Sequence, residues 1–439
     1  MSDPATRFDT VDLVEVRAWG RTVGAIAPST RRGAYAFEYD PSWVRTGIEL
    51  APVLMPLGRR VFTFPGLSEE TYQGLPPMIA DALPDRFGNT LVDAWLARNG
   101  ISPDRVTPLD RLAYLGSRGM GALEFAPRRE PNLPPPTALA LGDLVMSARR
   151  AVEGTLASEN ESQAALRRII DVGTSAGGAR AKAIVNVDHD TDEIRSGHLP
   201  PPPGFEPWLI KFDGVGLDSQ LGPGRSYGRI EYAYSLMVRA AGIDMSPTRL
   251  LEEHGRAHFM TRRFDRTVDG IRLHLQSLCA TDGLDFNAIG TNDYAQYLTR
   301  VAVLDPENIG QAFRRMVFNV AAANHDDHTK NVAFLMTPGG RWSIAPAYDV
   351  THAFNPDSRW LSRHLMSVNG RFSSIGRADL LEVAERFGVP AAASVFSEVN
   401  AALDSWPQFA VSAGLDAAHA DQVAADFTPI LRQAPGTRR

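Results

Sequence analysis

The first part of the chain shows the alternation of apolar and polar residues that is typical of half-buried β-strands. In VDLVEVRAWGRTVGAIA the alternation continues on both sides of a turn at Gly20, and GAYAFEYDPSWV repeats it after a second turn. Residues 68–100 have helical spacing interrupted by prolines, and residues 112–125 indicate a glycine-rich turn that leads into a strand. The pattern therefore predicts a β-rich N-terminal region with short helices.

A proline-rich segment separates this region from the rest of the chain. Residues 129–142, REPNLPPPTALALG, have only weak periodicity, which is typical of a linker. We therefore predict an N-terminal subdomain at residues 1–135 and a second, larger domain at residues 143–435.

The larger domain has a characteristic order of elements. The predicted elements are helices at 143–153 and 160–170, a glycine-rich loop, the strand WLIKF, a helix at 229–242, a strand pair at 248–266, a long helix at 307–324, the strands NVAFLM and RWSIAPAYDV, and helices from 378 onward. A glycine loop and strands that precede a mainly helical part are the order of a two-lobed protein kinase. The sequence thus predicts an α+β, two-lobed protein-kinase-like fold with a β-rich N-terminal subdomain and a mainly helical C-terminal lobe.

Composition is that of an ordinary globular protein. The 439 residues are 44% hydrophobic and 22% charged, and no apolar run approaches the ~20 residues that span a bilayer. The start of the chain lacks the segments of a signal peptide, and the single cysteine, Cys279, excludes an internal disulfide framework. We therefore expect a cytoplasmic protein with no membrane partner. The net charge of −6 argues against a protein that coats nucleic acid.

Lysine is much rarer than arginine in this chain. Of the 45 basic residues, three are lysines, namely Lys182, Lys211 and Lys330, and the other 42 are arginines. A compact ammonium on a flexible stem can do work that a planar guanidinium cannot. Because arginine supplies the generic positive charge here, each lysine is a candidate for a specific chemical role.

A glycine-rich segment opens the larger domain. Gly173–Lys182 has the sequence GTSAGGARAK, and its small residues would let backbone N–H groups approach phosphate oxygens. It does not match the GxxxxGK[ST] pattern of P-loop proteins, and a simple hairpin turn is the alternative. We predict a loop that covers the phosphates of a nucleotide.

Lys211 lies inside the apolar strand WLIKF, where an unpaired ammonium would be costly. Glu231 follows 20 residues later, near the start of the helix RIEYAYSLMVRAAG. In protein kinases, a strand lysine paired with a helix glutamate holds the α- and β-phosphates of ATP. We therefore predict an ion pair between Lys211 and Glu231. A favourable acid in the first turn of a helix is the alternative for Glu231.

The densest polar cluster of the chain is NHDDHTKN, residues 324–331, which follows an apolar helix. Asp326 and Asn331 have the D-x-x-x-x-N spacing of a kinase catalytic loop. In such a loop the aspartate accepts the proton of the substrate hydroxyl and the asparagine binds a metal ion. Asp327 is the rival base, but its spacing to Asn331 is one residue short.

Two further residues complete the predicted site. Asp349, 23 residues after Asp326 in SIAPAYDV, follows a strand as the second metal-binding aspartate of kinases does. Lys330 lies within the polar cluster, where its ammonium would neutralise a transferring phosphate.

A divalent-metal hydrolase is the alternative for the same cluster. The run from His325 to His328 contains two imidazoles and two carboxylates that could ligate a metal ion. Four adjacent residues cannot all face one ion from a helix, so His352 or His364 would have to join them. This alternative leaves the predicted lysine–glutamate pair and the amide of the cluster unexplained.

Together these motifs resemble the HipA family of serine/threonine kinase toxins from bacterial type II toxin–antitoxin pairs. GRTVGAIA, AYAFEYDPSWV, LPDRFGN and LGSRGMGALEF look like the family's N-terminal subdomain. GTSAGGARAK, WLIKF, RRFDR, NHDDHTKN and PAYDV look like its phosphate loop, ATP lysine, hinge, catalytic loop and metal aspartate. The resemblance covers most of the chain, and the set of motifs is specific although each one alone is weak.

The resemblance implies a role for individual residues in an enzyme that uses ATP and Mg²⁺. The implied ATP-binding residues are Ser175, Ala176, Gly177, Gly178, Ala179, Lys182, Lys211, Glu231, Arg262, Arg263, Phe264 and Asp265. The implied catalytic residues are Asp326, His328 and Lys330, and the implied metal ligands are Asn331 and Asp349. Gly178 and Arg262 replace the family's usual alanine and frequent glutamate. Ser175 matches the autophosphorylated serine, whose modification ejects the loop and inactivates the kinase.

We therefore predict an ATP-dependent protein serine/threonine kinase, the toxin of a HipA-type module. The resemblance implies a small HipB-like helix-turn-helix antitoxin as partner and an aminoacyl-tRNA synthetase among the candidate substrates. No DNA-binding module is recognisable in the sequence, so DNA contact would come mainly through the antitoxin. Two alternatives stay open, a small-molecule kinase of the aminoglycoside or choline type and a weakly catalytic regulator that binds an antitoxin and DNA.

Overall fold

The computed structural model describes residues 10–31, 33–84, 88–89, 92–93, 102, 105–128, 181–197, 200–213, 226–253 and 255–428. The predicted linker at 129–142, the helices at 143–153 and 160–170, and the loop residues Ser175, Ala176, Gly177, Gly178 and Ala179 lie outside these ranges. The chain divides into two compact units. The first consists of Met1–Pro207, Asp265–Leu275 and Thr337–Gly340, and the second of Trp208–Phe264, Gln276–Met336 and Arg341–Arg439.

An antiparallel five-stranded sheet forms the N-terminal part of the first unit. In sheet order, its strands are β4 Val61–Phe62, β3 Tyr35–Tyr39, β2 Arg21–Pro28, β1 Val14–Ala18 and β5 Leu123–Ala126. Every second residue of β1 is buried, as the alternation predicts. Trp19 and Gly20 join β1 to β2 with φ angles of 49° and 74°, which are those of a two-residue hairpin turn. The predicted hairpin is therefore confirmed.

The described helices of the first unit are short. They are α1 Pro41–Val44, α2 Glu69–Tyr72, α3 Pro77–Ala80 and α4 Pro108–Leu115. The prediction of a turn from residue 112 is wrong for its first four residues, which belong to α4. Thr107 and Asp110 cap this helix reciprocally through hydrogen bonds of 2.9 and 3.2 Å. Asp110 also accepts a hydrogen bond of 2.9 Å from the backbone N–H of Val11.

The segment Asp265–Leu275 belongs to the first unit and is held there by buried polar contacts. The carboxylate of Asp265, which is fully buried, accepts hydrogen bonds from the backbone N–H of Gly121 at 2.7 Å and from Arg266 at 2.8 Å. His274 is 1% exposed, and its Nε2 lies 3.0 Å from the carbonyl oxygen of Leu50. These contacts satisfy polar groups that would otherwise be costly to bury.

Replacing His274 with glutamine is expected to make the protein less sensitive to acid. Burial lowers the pKa of His274 from its ordinary 6.5 to about 4. Because the folded-state pKa lies below the unfolded one, the unfolded chain binds more protons, and stability falls as the pH drops from 6.5 toward 4. Between pH 7 and pH 5 this group should cost the wild type about 2 kcal/mol of unfolding free energy.

The measurement is urea-induced unfolding of wild type and His274→Gln at both pH values. The wild type should lose more stability than the variant on going from pH 7 to pH 5. An equal loss in both proteins would show that His274 does not titrate in this range.

The sheet of the second unit carries Lys211. Strand β8, Phe205–Lys211, belongs to the second unit from Trp208 onward. It pairs antiparallel with β10, Arg256–Arg262. Strand β10 pairs antiparallel with β9, Thr248–Glu253. Phe259 stands opposite Lys211. In the first unit, β6 Lys182–Asp188 pairs antiparallel with β7 Ile194–Ser196. The predicted strand WLIKF and the strand pair at 248–266 are thus confirmed.

Helices build most of the second unit. They are α5 Tyr227–Ala240, α6 Leu278–Asp282, α7 Tyr294–Leu304, α8 Ile309–Ala321, α9 Arg377–Arg386, α10 Ala392–Asp404, α11 Trp406–Ser412 and α12 Ala417–Ala425. Tyr234 of α5 lies at the centre of their apolar core, where its ring centroid is 5.4 Å from that of Trp406. Its hydroxyl donates a 2.6 Å hydrogen bond to the carbonyl of Ala322, which satisfies the buried phenol. Among the described residues, no helix is both long and apolar enough to cross a bilayer.

Five short strands precede or follow the polar cluster of residues 324–331 in the chain. They are β11 His274–Ser277, β12 Asn292–Asp293, β13 Ala333–Met336, β14 Trp342–Ile344 and β15 Met366–Ser367. The predicted strand RWSIAPAYDV is wrong in its second half because β14 ends at Ile344. Pro346 has no backbone N–H to donate to a neighbouring strand, and Asp349 has a φ of 56°, which is incompatible with an extended backbone.

Candidate active site

Lys211 is the centre of a buried ion-pair cluster. Its Nζ lies 2.5 Å from Oε1 of Glu231 and also bonds Oδ1 of Asp349. Burial by itself lowers the pKa of Lys211, but the carboxylates of Asp349 and Glu231 outweigh it and hold the pKa above its usual value. The predicted pair of Lys211 and Glu231 is confirmed, and the ammonium stays charged at neutral pH.

The packing of helix α5 against the sheet places Glu231 at this lysine. Gly228, in the first turn of α5, lies so close to β10 that a Cβ atom would come 2.0 Å from the carbonyl oxygen of Ala257. Glycine therefore permits an approach that no other residue allows. Glu231 follows on the same helix and is 1% exposed. The ammonium of Lys211 also lies 5.7 Å from the centre of the Phe259 ring.

Asp349 has an unusual backbone conformation. Its φ of 56° lies in the left-handed region, which costs a non-glycine residue free energy and is enriched at functional sites. The neighbouring Tyr348 donates a 2.6 Å hydrogen bond to the carbonyl of Lys330. The ring of Tyr348 lies 5.4 Å from that of Phe264. The segment around Asp349 therefore contacts both Lys211 and the polar cluster.

The two adjacent aspartates of the polar cluster have different environments. The side chain of Asp327 is fully buried, and its oxygens bond the hydroxyl of Tyr294 at 2.7 Å, Nδ1 of His364 at 2.8 Å and the backbone N–H of Leu365 at 2.7 Å. The side chain of Asp326 is 39% exposed. Because the lone pairs of Asp327 are occupied inside the protein, only Asp326 can meet a substrate. The structure thus favours Asp326 as the candidate base.

Asn331, the last residue of the polar cluster, contacts the backbone of Asp326. Its Nδ2 donates a 2.8 Å hydrogen bond to the backbone carbonyl of Asp326. Within the described part of the chain no donor bonds its Oδ1, so this amide oxygen is available to a ligand. The ammonium of Lys330 lies 4.6 Å from the centre of the Phe286 ring, and the ring of His328 lies 5.3 Å from the same ring. Phe286 thus holds the two basic side chains of the cluster on one side.

Asn331 and the two neighbours of Asp349, Tyr348 and Val350, line one small cavity. Its volume is about 20 Å³, which is room for about one water molecule and far less than a nucleotide needs. The cavity nevertheless shows that the amide of Asn331 and the segment that carries Asp349 are neighbours. The structure therefore brings the Lys211 cluster and the polar cluster together.

The described histidines near the polar cluster do not form a metal-binding group. His352 bonds Asp426 at 2.9 Å, and the ring of His325 lies 4.2 Å from that of His364. Burial, aided by His364, lowers the pKa of His325 to about 4. The described residues contain no group of three or more histidine, cysteine, aspartate or glutamate side chains arranged to hold a metal ion. The hydrolase alternative gains no support from them.

The remaining predicted ATP-binding residues are spread over both units. Lys182 starts β6 in the first unit and is 2% exposed. Arg262 ends β10 opposite Trp208, and Arg263 follows as a buried residue. Asp265 uses its carboxylate within the first unit, as described above, so a contact of this segment with an adenine would fall to its other residues. The loop from Ser175 to Ala179 lies outside the described residues.

Sequence reasoning missed two residues that contact the polar cluster. The indole Nε1 of Trp360 donates a 2.9 Å hydrogen bond to Oδ1 of Asp326, and the phenol of Tyr294 bonds Asp327. They lie 34 and 33 positions away in the chain, so no local spacing reveals these contacts. Trp360 stands out only as an aromatic residue within the polar run NPDSRWLSRH.

The chain matches two family models over most of its length. The model of the HipA-like C-terminal domain matches residues 174–406, and that of the HipA N-terminal domain matches residues 14–126. The chain is similar, with a TM-score of 0.63, to a solved structure from Shewanella oneidensis MR-1. That structure is a complex of the toxin–antitoxin system HipA, HipB and its operator DNA. The identity is 17%, and the match covers 95% of this chain and 96% of that chain.

A second solved structure is more distant. The proinflammatory kinase CtkA of Helicobacter pylori matches 51% of this chain and 88% of its own, with 14% identity and a TM-score of 0.33.

The matches define the class of fold and the family. The predicted α+β, two-lobed protein-kinase-like fold is confirmed. The chain belongs to the HipA family.

Proposed function

We propose that the chain is an ATP-dependent protein serine/threonine kinase, the toxin of a HipA-type toxin–antitoxin module. The observation that carries the proposal is the cluster of Lys211, Glu231 and Asp349 beside the exposed carboxylate of Asp326 and the amide of Asn331. These are the parts that phosphoryl transfer requires, because catalysis of this reaction consists mainly of positioning and of electrostatic stabilisation. Membership of the HipA family supports the same proposal.

The residues present fit ATP and Mg²⁺. Asn331 offers an amide oxygen and Asp349 a carboxylate, which are the hard oxygen ligands that Mg²⁺ prefers. When bound, Mg²⁺ neutralises negative charge on the β- and γ-phosphates. Lys211, which Glu231 holds in place, would bind the α- and β-phosphates, as its charged ammonium permits. Asp326 would accept the proton of the attacking hydroxyl.

Other residues would complete the nucleotide site. We assign the loop from Ser175 to Ala179 and the nearby Lys182 to the phosphates, and the segment from Arg262 to Asp265 to the adenine side. His328 and Lys330 would support the transfer from within the polar cluster. The ammonium of Lys330 would leave the face of Phe286 for a phosphate, because the ring attracts an ammonium only weakly at a partly exposed position.

A HipB-like helix-turn-helix antitoxin is the proposed partner. The similar Shewanella structure contains HipA, HipB and operator DNA, and we propose an equivalent complex here, in which DNA contact comes mainly through the antitoxin. An aminoacyl-tRNA synthetase is the proposed class of protein substrate. We propose the cytoplasm as the location, since such substrates are translated and used there.

The experiment that tests this function compares acceptors. The purified chain is incubated with magnesium and ATP labelled in the γ-phosphate, once with a bacterial lysate and once with aminoglycosides or choline. Label on a protein serine or threonine supports the proposal. Label only on the small molecules favours the alternative kinase class, and nucleotide binding without any transfer favours the weakly catalytic regulator.

Phosphorylation of Ser175 is expected to switch the enzyme off. A phosphate there adds about −1.5 to −2 charge at neutral pH. This charge would compete with ATP for the same backbone N–H groups and for the ammonium of either Lys182 or Lys211. The segment contains Gly173, Gly177 and Gly178, and glycine backbones change conformation at little steric cost. The expected result is autophosphorylation at Ser175 and a fall in ATP affinity of at least about tenfold.

The measurement is mass-spectrometric mapping of phosphosites after incubation with magnesium and ATP, followed by calorimetry of ATP binding. Ser175→Ala is the control, since it should keep its ATP affinity after the same incubation. An active enzyme with unmodified Ser175, or a phosphorylated form that binds ATP normally, would refute this regulation without touching the proposed kinase activity.

A further inference from the structure

Trp360 contacts the candidate base directly. Its indole Nε1 donates a 2.9 Å hydrogen bond to Oδ1 of Asp326. Hydrogen bonds from a neutral donor to a charged carboxylate are stronger than those between neutral groups. Among the described residues, no other group donates a hydrogen bond to the Asp326 side chain, and the nearest basic group is Nε2 of His328 at 3.8 Å. The indole is therefore the group that fixes the orientation of this carboxylate.

Three hydrogen bonds connect the segment that contains Trp360 to the polar cluster. The backbone N–H of His325 donates to the carbonyl of Ala353 at 3.1 Å, and Nδ1 of His325 lies 3.0 Å from the carbonyl of Leu361. The backbone N–H of Leu365 donates to the buried Asp327 at 2.7 Å. These contacts lie on both sides of Trp360 in the chain. The position of the indole relative to Asp326 is therefore set by the backbone as well as by its own hydrogen bond.

A local turn at Ser358 sets the direction of the Trp360 side chain. The hydroxyl of Ser358 accepts hydrogen bonds of 3.1 Å from the backbone N–H groups of both Trp360 and Leu361. Leu361 is buried, whereas Trp360 is only partly buried. The apolar anchor of the turn is thus the leucine, and the tryptophan beside it is left to contact the polar cluster.

We propose that Trp360 is a positioning residue for Asp326, an inference that rests on the proposed kinase activity. An exposed carboxylate can rotate about its χ angles, and a hydroxyl then meets it in the right geometry only part of the time. The indole N–H holds Oδ1 and so turns Oδ2 toward the acceptor hydroxyl. Trp360 itself touches neither nucleotide nor acceptor in this scheme, and it acts through Asp326.

The matched test uses two tryptophan-to-phenylalanine variants. Trp360→Phe removes the N–H and keeps an aromatic ring, and it should lower kcat about tenfold to hundredfold with little change in the KM for ATP. Trp406→Phe is the control, because its Nε1 donates a hydrogen bond of the same 2.9 Å length to the carbonyl of Ala420 in the helical core. This control should lower Tm and leave kcat unchanged.

Two further measurements keep the test decisive if Trp360→Phe folds poorly. Incorporation of 3-benzothienylalanine at position 360 keeps the shape of the indole and replaces only its N–H, so kcat should fall as in Trp360→Phe at the wild-type Tm. The indole ¹H–¹⁵N resonance of Trp360, assigned by its loss in the 3-benzothienylalanine protein, should shift in Asp326→Ala even without nucleotide.

The outcomes separate this inference from the proposed function. If the wild type transfers phosphate and either Trp360 variant keeps the wild-type kcat, the positioning role is refuted and the kinase stands. The positioning role is also refuted if the indole resonance of Trp360 does not shift in Asp326→Ala. If the wild type transfers no phosphate to any acceptor, the proposed function itself is refuted, and the role of Trp360 with it.

Discussion

Asp326→Asn is expected to abolish phosphoryl transfer while leaving the fold and the affinity for ATP intact. The asparagine keeps an Oδ1 atom for the indole of Trp360 but cannot accept the proton of the acceptor hydroxyl. A positioned base contributes about 10²–10⁴-fold to the rate, so kcat should fall by at least this factor. The side chain is 39% exposed, and its replacement should barely change Tm. Single-turnover transfer and calorimetry of ATP binding measure the two effects separately.

Asp327→Asn is the matched control, because the same change at the adjacent residue should act on stability. Asp327 is buried and bonds Tyr294, His364 and the backbone of Leu365. Weakened hydrogen bonding to this buried side chain should cost about 1–3 kcal/mol of stability. The variant should unfold at a lower urea concentration, and its folded fraction should retain most of its activity. If Asp327→Asn is stable and inactive while Asp326→Asn is active, the roles of the two aspartates are reversed.

Lys211→Arg is expected to be severely impaired although it keeps the positive charge. The ammonium of Lys211 fits between Glu231 and Asp349, at 2.5 Å from the former. A planar guanidinium is wider and more rigid, so it cannot keep both contacts and still reach a phosphate. A misplacement of about 1 Å can cost about 10²-fold, and we expect kcat/KM to fall by at least that much.

The control at this position is Lys211→Met, which removes the charge and leaves the carboxylate of Glu231 buried without its partner. It should lose activity as Lys211→Arg does, and it should also lose about 3–5 kcal/mol of unfolding free energy. Kinetics with varied ATP and urea unfolding distinguish the two variants. Wild-type turnover in Lys211→Arg would remove the argument that the scarce lysines of this chain have special roles.

Local sequence patterns predict the structure correctly where it depends on residues that are close together in the chain. The alternation around Gly20 predicts the first hairpin, and the conformations of Trp19 and Gly20 confirm it. The apolar strand around Lys211 implies a buried partner for the ammonium, because burial of an unpaired charge is costly. The next helix supplies Glu231 at a fitting position. The hairpin and the need for a buried partner follow from local energetics, whereas the choice of Glu231 as that partner also used the arrangement found in protein kinases.

Patterns failed where a contact joins distant segments. Asp349 reaches Lys211 from 138 residues away, and Trp360 reaches Asp326 from 34 residues away. The spacing to Asn331 predicts Asp326 rather than Asp327 as the base, and the structure adds a physical reason, because the buried Asp327 carboxylate bonds Tyr294 and His364. Asp265 has the chain position of a hinge residue, but its carboxylate bonds Gly121, 144 residues earlier. Such contacts depend on packing and are not encoded in local periodicity.

Helix α4 was missed for a different reason. The helix ends in LAYL, and the Gly116 and Ser117 that follow it suggest a turn. The helix starts earlier, at Pro108, after the reciprocal cap of Thr107 and Asp110. The capping signal T-P-L-D lies upstream of the window that indicated the turn, so the sequence does contain the information.

The most direct test of the proposed kinase compares the wild type with Asp326→Asn in parallel reactions that contain ATP labelled either in the α- or in the γ-phosphate. With magnesium, the wild type should place γ-label, and no α-label, on serine or threonine of a protein, and Asp326→Asn should place neither. Transfer of α-label, or equal γ-transfer by the two proteins, would contradict the account.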